Sequence, residues 1–177
     1  MSLPTVTKPG IVVFDLDFTI WPYWADSHLS APFHKDRQGN VLDNRKQRVD
    51  IYPGVREILE LLKSNDVTMA IASKSPQRDT YINLLELLDL KHYFVQFELY
   101  RKSKRNHLTA ISTEQDIAFK DMVFFDDEYN NISDTKAMGV TAIHCPQRQG
   151  IKMEHLIDGF KKYEAFSKSK MYTNLKV

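Results

Sequence analysis

Ile11-Val12-Val13-Phe14-Asp15-Leu16-Asp17-Phe18-Thr19 sets a short apolar run directly against two carboxylates. A run that does not alternate with polar residues reads as a strand buried on both faces, as in a parallel sheet covered by helices. Carboxylates at the end of such a strand are costly to bury unless a cation or a proton compensates them. Asp15 and Asp17 therefore mark a candidate site as well as a strand end. Two residues apart, they point the same way if the strand continues and diverge around a ligand if the chain loops. By itself a D-x-D is a weak signal, because two solvated turn residues look the same.

Working outward, further apolar runs at Val67 to Ala72, Tyr93 to Phe97, Met122 to Phe125 and Val140 to Ile143 read as strands. Val55 to Lys63 carries Val55, Ile58, Leu59 and Leu62 at helical spacing, with Pro53 and Gly54 punctuating its start, and residues 77 to 90 carry Tyr81, Leu84, Leu85 and Leu88 likewise. Ile151 to Phe166 reads as a closing amphipathic helix, and the Lys-rich segment 168–177 as a frayed tail. This β-α-β-α alternation argues for a doubly wound parallel sheet, whose ligands bind beyond the carboxyl ends of its strands. One segment breaks the rhythm. Ile20 to Asp50 opens with Trp21, Pro22, Tyr23 and Trp24, then turns polar through Asp36, Gly39, Asn40 and Asp43, which suits a β-hairpin flap over the sheet edge.

The bulk properties narrow the class. A chain of 177 residues suits one domain, taken here as 1–177 with a flap at 20–50. With 24 Lys and Arg against 23 Asp and Glu, the net charge of +1 argues against a strongly basic nucleic-acid binder, and 42% hydrophobic residues argue against disorder. Cys145 is the only cysteine, so no intrachain disulfide can form. No signal peptide or membrane-spanning run is expected, which points to a cytoplasmic monomer small enough to diffuse into the nucleus.

A second acidic site decides the chemistry. Met122-Val123-Phe124-Phe125-Asp126-Asp127 again ends an apolar strand in adjacent carboxylates. If the first and fourth strands are neighbours, as at the switch point of a doubly wound sheet, these carboxylates share a small volume with Asp15 and Asp17. Hard oxygen donors in that number suit Mg²⁺. Asp127 could also cap the following helix while Asp126 binds metal. Ser73 closes the second strand with a hydroxyl suited to phosphate, although a plain turn residue would look the same. Lys104 lies in Arg101-Lys102-Ser103-Lys104-Arg105, where it competes with the bland reading of a solvated basic cluster.

The ordered set of D-x-D-x-T on strand one, Ser on strand two, Lys after strand three and Asp-Asp on strand four resembles the haloacid dehalogenase superfamily. The stretch from Asp15 through Thr19, Trp21-Pro22, Trp24, Asp26 and His28, with Pro32-Phe33-His34-Lys35, Tyr52-Pro53 and Phe124 to Glu128, looks like the magnesium-dependent phosphatase-1 family. The resemblance implies a three-layer αβα sandwich with no large cap domain. It also implies hydrolysis of phosphomonoesters, of phosphotyrosine or sugar-phosphate type, through an aspartyl phosphate. Asp15 would be the nucleophile, Asp17 the general acid and base, and Lys104 the third catalytic group. Mg²⁺ would be held by Asp15, Asp126 and the main-chain oxygen of Asp17, with Asp127 acting at or near the metal. Ser73, Lys74, Thr19, Lys104 and Trp24 form the expected substrate set, with Thr19 orienting the loop. Two departures stand out: Lys74-Ser75 where the family often has Arg-Thr, and Arg101-Lys102 where it often has Pro-Gly.

Two rivals fit part of the pattern. A phosphorelay receiver domain uses acidic residues, Mg²⁺, a hydroxyl and a lysine, but in another strand order. A polynucleotide 3′-phosphatase would use Arg101 to Arg105 on a phosphate backbone, against which the near-neutral charge weighs. The partner expected is a phosphorylated small molecule or protein, not a nucleic acid and not a membrane. Trp21, Trp24, His28 and His34 either line the site entrance or anchor the hairpin.

Overall fold

A computed structural model describes residues 2–174. Its central sheet is five-stranded and parallel throughout, built from β1 (Ile11–Phe14), β4 (Met69–Ser73), β5 (Gln96–Leu99), β6 (Met122–Asp126) and β7 (Thr141–His144) in the order β5-β4-β1-β6-β7. The first strand therefore sits at the centre, with Val12 beside both Met69 and Val123. The chain fills one side of β1 through β4 and β5, then returns to fill the other through β6 and β7. That reversal is the switch point at which ligands gather in open α/β sheets.

Both sheet faces are covered, which is why β1 is apolar without alternation. Val12 and Phe14 face one cluster that includes Ile58, Leu59 and Leu62 of α2 (Val55–Ser64), Tyr81, Leu84 and Leu85 of α3 (Arg78–Leu87), and Leu156 and Phe160 of α6 (Met153–Asn174). Ile11 and Val13 face the opposite cluster, with Leu108 and Ile111 of α4 (Lys104–Gln115) and Ile132 of α5 (Tyr129–Lys136). Between β1 and α2 the chain forms one short helical turn, α1 (Ala25–His28), and a two-stranded antiparallel hairpin, β2 (His34–Lys35) with β3 (Val41–Leu42). Buried Asp43 anchors that flap by accepting the backbone N–H groups of Ser30, Arg45 and Gln47.

Several element boundaries depart from the sequence reading, each for a local reason. The strand expected at Tyr93 to Phe97 lies at Gln96–Leu99, while Lys91–Tyr93 is a 3-10 turn. Tyr93 and Phe94 are core residues of the connection, whereas β5 is an edge strand with Gln96, Phe97 and Glu98 only half-buried, so apolar density misplaces it. The strand expected from Val67 starts at Met69, because Asp66 adopts a left-handed φ of 56° and Val67 N–H still bonds back to the Leu62 carbonyl. The second helix stops at Leu87 rather than 90, closed by left-handed Asp89 and a Leu90 N–H to Leu85 carbonyl bond. The segment read as a frayed tail is instead helical through Asn174, with Lys168 paired to Glu164 one turn back; residues 175–177 lie outside the described part. Among the described residues, no helix is long and apolar enough to cross a membrane.

Candidate active site

Strand β1 ends at Phe14, and the chain then loops rather than continuing. Phe18 takes a left-handed φ of 56°, and Thr19 and Ile20 N–H groups both bond back to the Leu16 carbonyl. Of the two arrangements open to the D-x-D, the carboxylates thus take the divergent one. Asp15 stays beside the sheet, where its backbone N–H bonds the Phe125 carbonyl of β6, and Asp17 swings toward the helix that follows β4.

Asp15, Asp126 and Asp127 come together at the strand ends, each offering an oxygen within 4.8 Å of the others. Lys104, the first residue of α4, lies among them, with Nζ 2.5 Å from Asp15 Oδ1 and 3.1 Å from Asp126 Oδ2, and it also donates to the Ala72 carbonyl. It is 2% exposed, whereas Arg101, Lys102 and Arg105 are exposed, so the basic cluster divides into one buried cation and a solvated rim. Burial works to lower the Lys104 ammonium, yet the charges of Asp126 and then Asp15 raise it above its ordinary range. Burial raises Asp15, Lys104 opposes the rise, and Asp126 and Asp127 add to it. Burial likewise pushes Asp127 up to about 6 against the Gln147 amide that bonds it. A cluster this crowded with hard oxygens fits Mg²⁺, which takes a few carboxylates and keeps the rest of its octahedron for water and phosphate oxygens.

The supports of Asp126 were not expected from sequence. Its Oδ1 accepts the Glu128 N–H at 2.8 Å and the Asn131 amide at 2.9 Å, and Asn131 also reaches Oδ2 at 3.1 Å. Asp126, not Asp127, therefore bonds the start of α5, and Asp127 makes no cap hydrogen bond; its carboxylate turns to Gln147. Gln147 is itself positioned by Tyr52, whose hydroxyl donates to the Gln147 carbonyl. Gly150 permits this placement, since a Cβ there would overlap the Tyr52 ring.

Asp17 stands outside the acidic cluster. The buried Trp21 indole donates to its Oδ1 at 2.7 Å, the Ala25 N–H to the same oxygen at 3.1 Å, and the Tyr81 hydroxyl to Oδ2 at 2.6 Å. Burial raises the Asp17 carboxyl while Tyr81, Trp21 and the Ala25 N–H each act to lower it. Burial, then the Asp17 charge, hold the Tyr81 phenol far above its ordinary range, so it remains a donor. Tyr81 reads from sequence only as one apolar-face residue of a helix, and nothing in its spacing points to Asp17.

Asp15, Asp17, Trp24, Ser73, Lys74, Lys104 and Asp127 all line one open cleft, together with Asp26, Ser75, Glu128 and Asn131. Ser73 ends β4 and accepts the Ser75 N–H at 3.4 Å, and exposed Lys74 pairs with Glu128 at 3.1 Å across the mouth. Trp24 packs edge-on to Phe18 and tilted against His28. Thr19 corrects the expected substrate set, because it is fully buried, is not part of the cleft wall and donates to Asp15 Oδ2 at 3.2 Å. Of the four aromatic and histidine candidates for the entrance, Trp24 alone lines the cleft, and Trp21 belongs to the core.

Known proteins match this chain along most of its length. A family model described as Acid Phosphatase matches residues 7–165. Magnesium-dependent phosphatase 1 of Homo sapiens is 43% identical over 161 residues, covering 91% of this chain and 89% of that protein. A HAD-like hydrolase superfamily protein of Schizosaccharomyces pombe is 33% identical over 156 residues, covering 82% of this chain and 90% of that protein. Among solved structures, a haloacid dehalogenase-like family hydrolase from Xanthomonas campestris superposes with a TM-score of 0.58 at 15% identity, over 82% of this chain and 87% of that one. The N-terminal part of a Bacteroides fragilis protein, containing a phosphatase domain and complexed with Mg, superposes with a TM-score of 0.56 at 17% identity, over 91% of this chain and 40% of that one. At these identities the structural likeness speaks for the fold alone.

Proposed function

Given that this chain belongs to the acid phosphatase family and is a magnesium-dependent phosphatase, we propose that it cleaves phosphomonoesters in two steps through a phosphate carried on Asp15. The observation that carries this reading is the divergence of the two D-x-D carboxylates. Asp15 lies beside a buried cation and the metal-binding cluster, and Asp17 lies apart, held by neutral donors.

In the first step an Asp15 oxygen attacks phosphorus, the bond from phosphorus to the leaving oxygen breaks, and Asp17 gives that oxygen a proton. In the second, Asp17 takes a proton from water as the water oxygen attacks the same phosphorus, releasing inorganic phosphate and restoring the Asp15 carboxylate. Lys104 favours the ionised, nucleophilic form of Asp15 and offers a fixed positive charge to the phosphoryl oxygens, beside the Ser73 hydroxyl. Thr19 steadies Asp15 from the buried side. Asp15, Asp126 and the Asp17 main-chain oxygen would hold Mg²⁺, with Asp127 at or near it. The bound ion supplies charge neutralisation that lets a carboxylate approach a phosphate dianion.

The lining bears on substrate. Asp26, Asp127 and Glu128 outnumber Lys74 around the mouth, and none of Arg101, Lys102 and Arg105 reaches the cleft wall. That balance disfavours a polyanionic strand and so argues against a polynucleotide 3′-phosphatase. An open cleft edged by Trp24 suits an exposed phosphotyrosine-type group or a sugar phosphate. The test is a panel of aryl, sugar, phosphopeptide and 3′-phosphorylated oligonucleotide substrates assayed in chelator, Mg²⁺ and Ca²⁺. Turnover is expected with Mg²⁺ alone among these conditions, on the first three classes and not on the oligonucleotide; full activity in chelator refutes the metal assignment.

A further inference from the structure

The Asp17 carboxylate accepts three hydrogen bonds, and none comes from a charged group. Oδ1 takes two of them, from the Trp21 indole and the Ala25 N–H, and Oδ2 takes the Tyr81 hydroxyl at 2.6 Å. Trp21 and Tyr81 are both fully buried, with ring centroids 5.8 Å apart, so neither can turn away without opening a hole in a close-packed core. Tyr81 arrives from α3, a different element from the loop it holds.

Each carboxylate oxygen offers two lone-pair directions. Both on Oδ1 are used and one on Oδ2 is used, which leaves a single direction on Oδ2. A proton carried by Asp17 sits there or displaces a core hydrogen bond. We propose that Tyr81 is a positioning residue for proton transfer, its hydroxyl locking the Asp17 carboxylate so that the remaining Oδ2 lone pair is the one presented to the leaving oxygen and later to water. This inference rests on the reading of Asp17 as the proton-transfer group.

Tyr81→Phe keeps the ring and deletes the hydroxyl. With Mg²⁺ present, two quantities separate positioning from packing: the burst of nitrophenolate from p-nitrophenyl phosphate, whose leaving group needs no proton, and steady-state kcat on glucose 6-phosphate, whose leaving group does. The burst rate is expected to stay within about threefold of wild type, while kcat on glucose 6-phosphate falls about tenfold or more. Tyr81→Met, which also fills the buried space but carries no hydroxyl, is expected to show the same selective loss and serves if Tyr81→Phe does not fold. An equal loss on burst and sugar ester, or no loss on either, overturns the proposal. Asp17→Asn in the same assays distinguishes the two levels. If it too fails to discriminate between leaving groups, the role of Asp17 is wrong; if it discriminates and Tyr81→Phe does not, only the role of Tyr81 is wrong.

Discussion

Replacing Lys104 by Met removes one buried ammonium and keeps a stem of similar length, so the variant isolates the charge. In the native chain that ammonium bonds Asp15 at 2.5 Å and Asp126 at 3.1 Å, and Asp127 stands within the same cluster. Deleting one partner of a buried pair while its carboxylates remain costs about 3–5 kcal/mol. Protonation limits the damage, since neutralising an ordinary aspartate at pH 7 costs roughly 4 kcal/mol. At about 2–4 °C per kcal/mol for a chain of this size, the midpoint in chelator should fall by roughly 6–16 °C. Mg²⁺ should then recover more in the variant than in wild type, because the competing cation has gone and ligand binding stabilises the native state by mass action. Thermal unfolding followed by circular dichroism, in chelator and across a Mg²⁺ series, measures both effects. A variant as stable as wild type in chelator, or one that gains less from Mg²⁺, would refute the account of Lys104 as the internal counter-ion. Turnover should drop by about two to three orders of magnitude at saturating Mg²⁺ with the loss of a fixed phosphoryl cation. Lys102→Ala is the control, exposed beside the Tyr100 ring and expected to lie within about 0.5 kcal/mol of wild type with near-normal turnover.

Two further outcomes follow from the geometry. Intact-mass measurement after acid quenching should find an added phosphoryl group on Asp17→Asn incubated with an aryl phosphate and none on Asp15→Asn; the reverse pattern would exchange their roles. His107 is fully buried, with Nε2 on the Tyr100 carbonyl and Nδ1 without a hydrogen-bond partner, and burial followed by the Lys104 charge lowers it to about 4. The unfolded chain binds a proton near pH 6.5 that the folded chain refuses, so this contribution is present above 6.5 and is lost as pH falls toward 4. By pH 5 wild type should have lost about 2 kcal/mol more than His107→Gln in urea unfolding, and parallel losses would contradict this.

Much of the architecture was legible along the chain because local patterns encode which faces are buried. Ile11 to Phe14 and Met122 to Phe125 could be read as doubly covered strands from their lack of alternation, and each ends in carboxylates whose burial demands a counter-charge. Helix α2 was legible from the spacing of Val55, Ile58, Leu59 and Leu62. The pattern misled where burial and element type part company, as at Tyr93 and Phe94, which are buried without being strand, and at half-polar β5, which is strand without being fully buried.

What the sequence determined by itself was thus a parallel α/β sheet with acidic strand ends and a hairpin insertion. The tertiary structure alone decided which residues meet. Strand order brought Asp15 beside Asp126, helix docking selected Lys104 for burial from a run of similar cations, and α3 delivered Tyr81 to Asp17 and α5 delivered Asn131 to Asp126. The physical reason is that a hydrophobic period reports a residue's environment and not its partner. Which partner it finds depends on how whole elements pack across long chain separations, where shape, twist and the need to pair every buried charge act together.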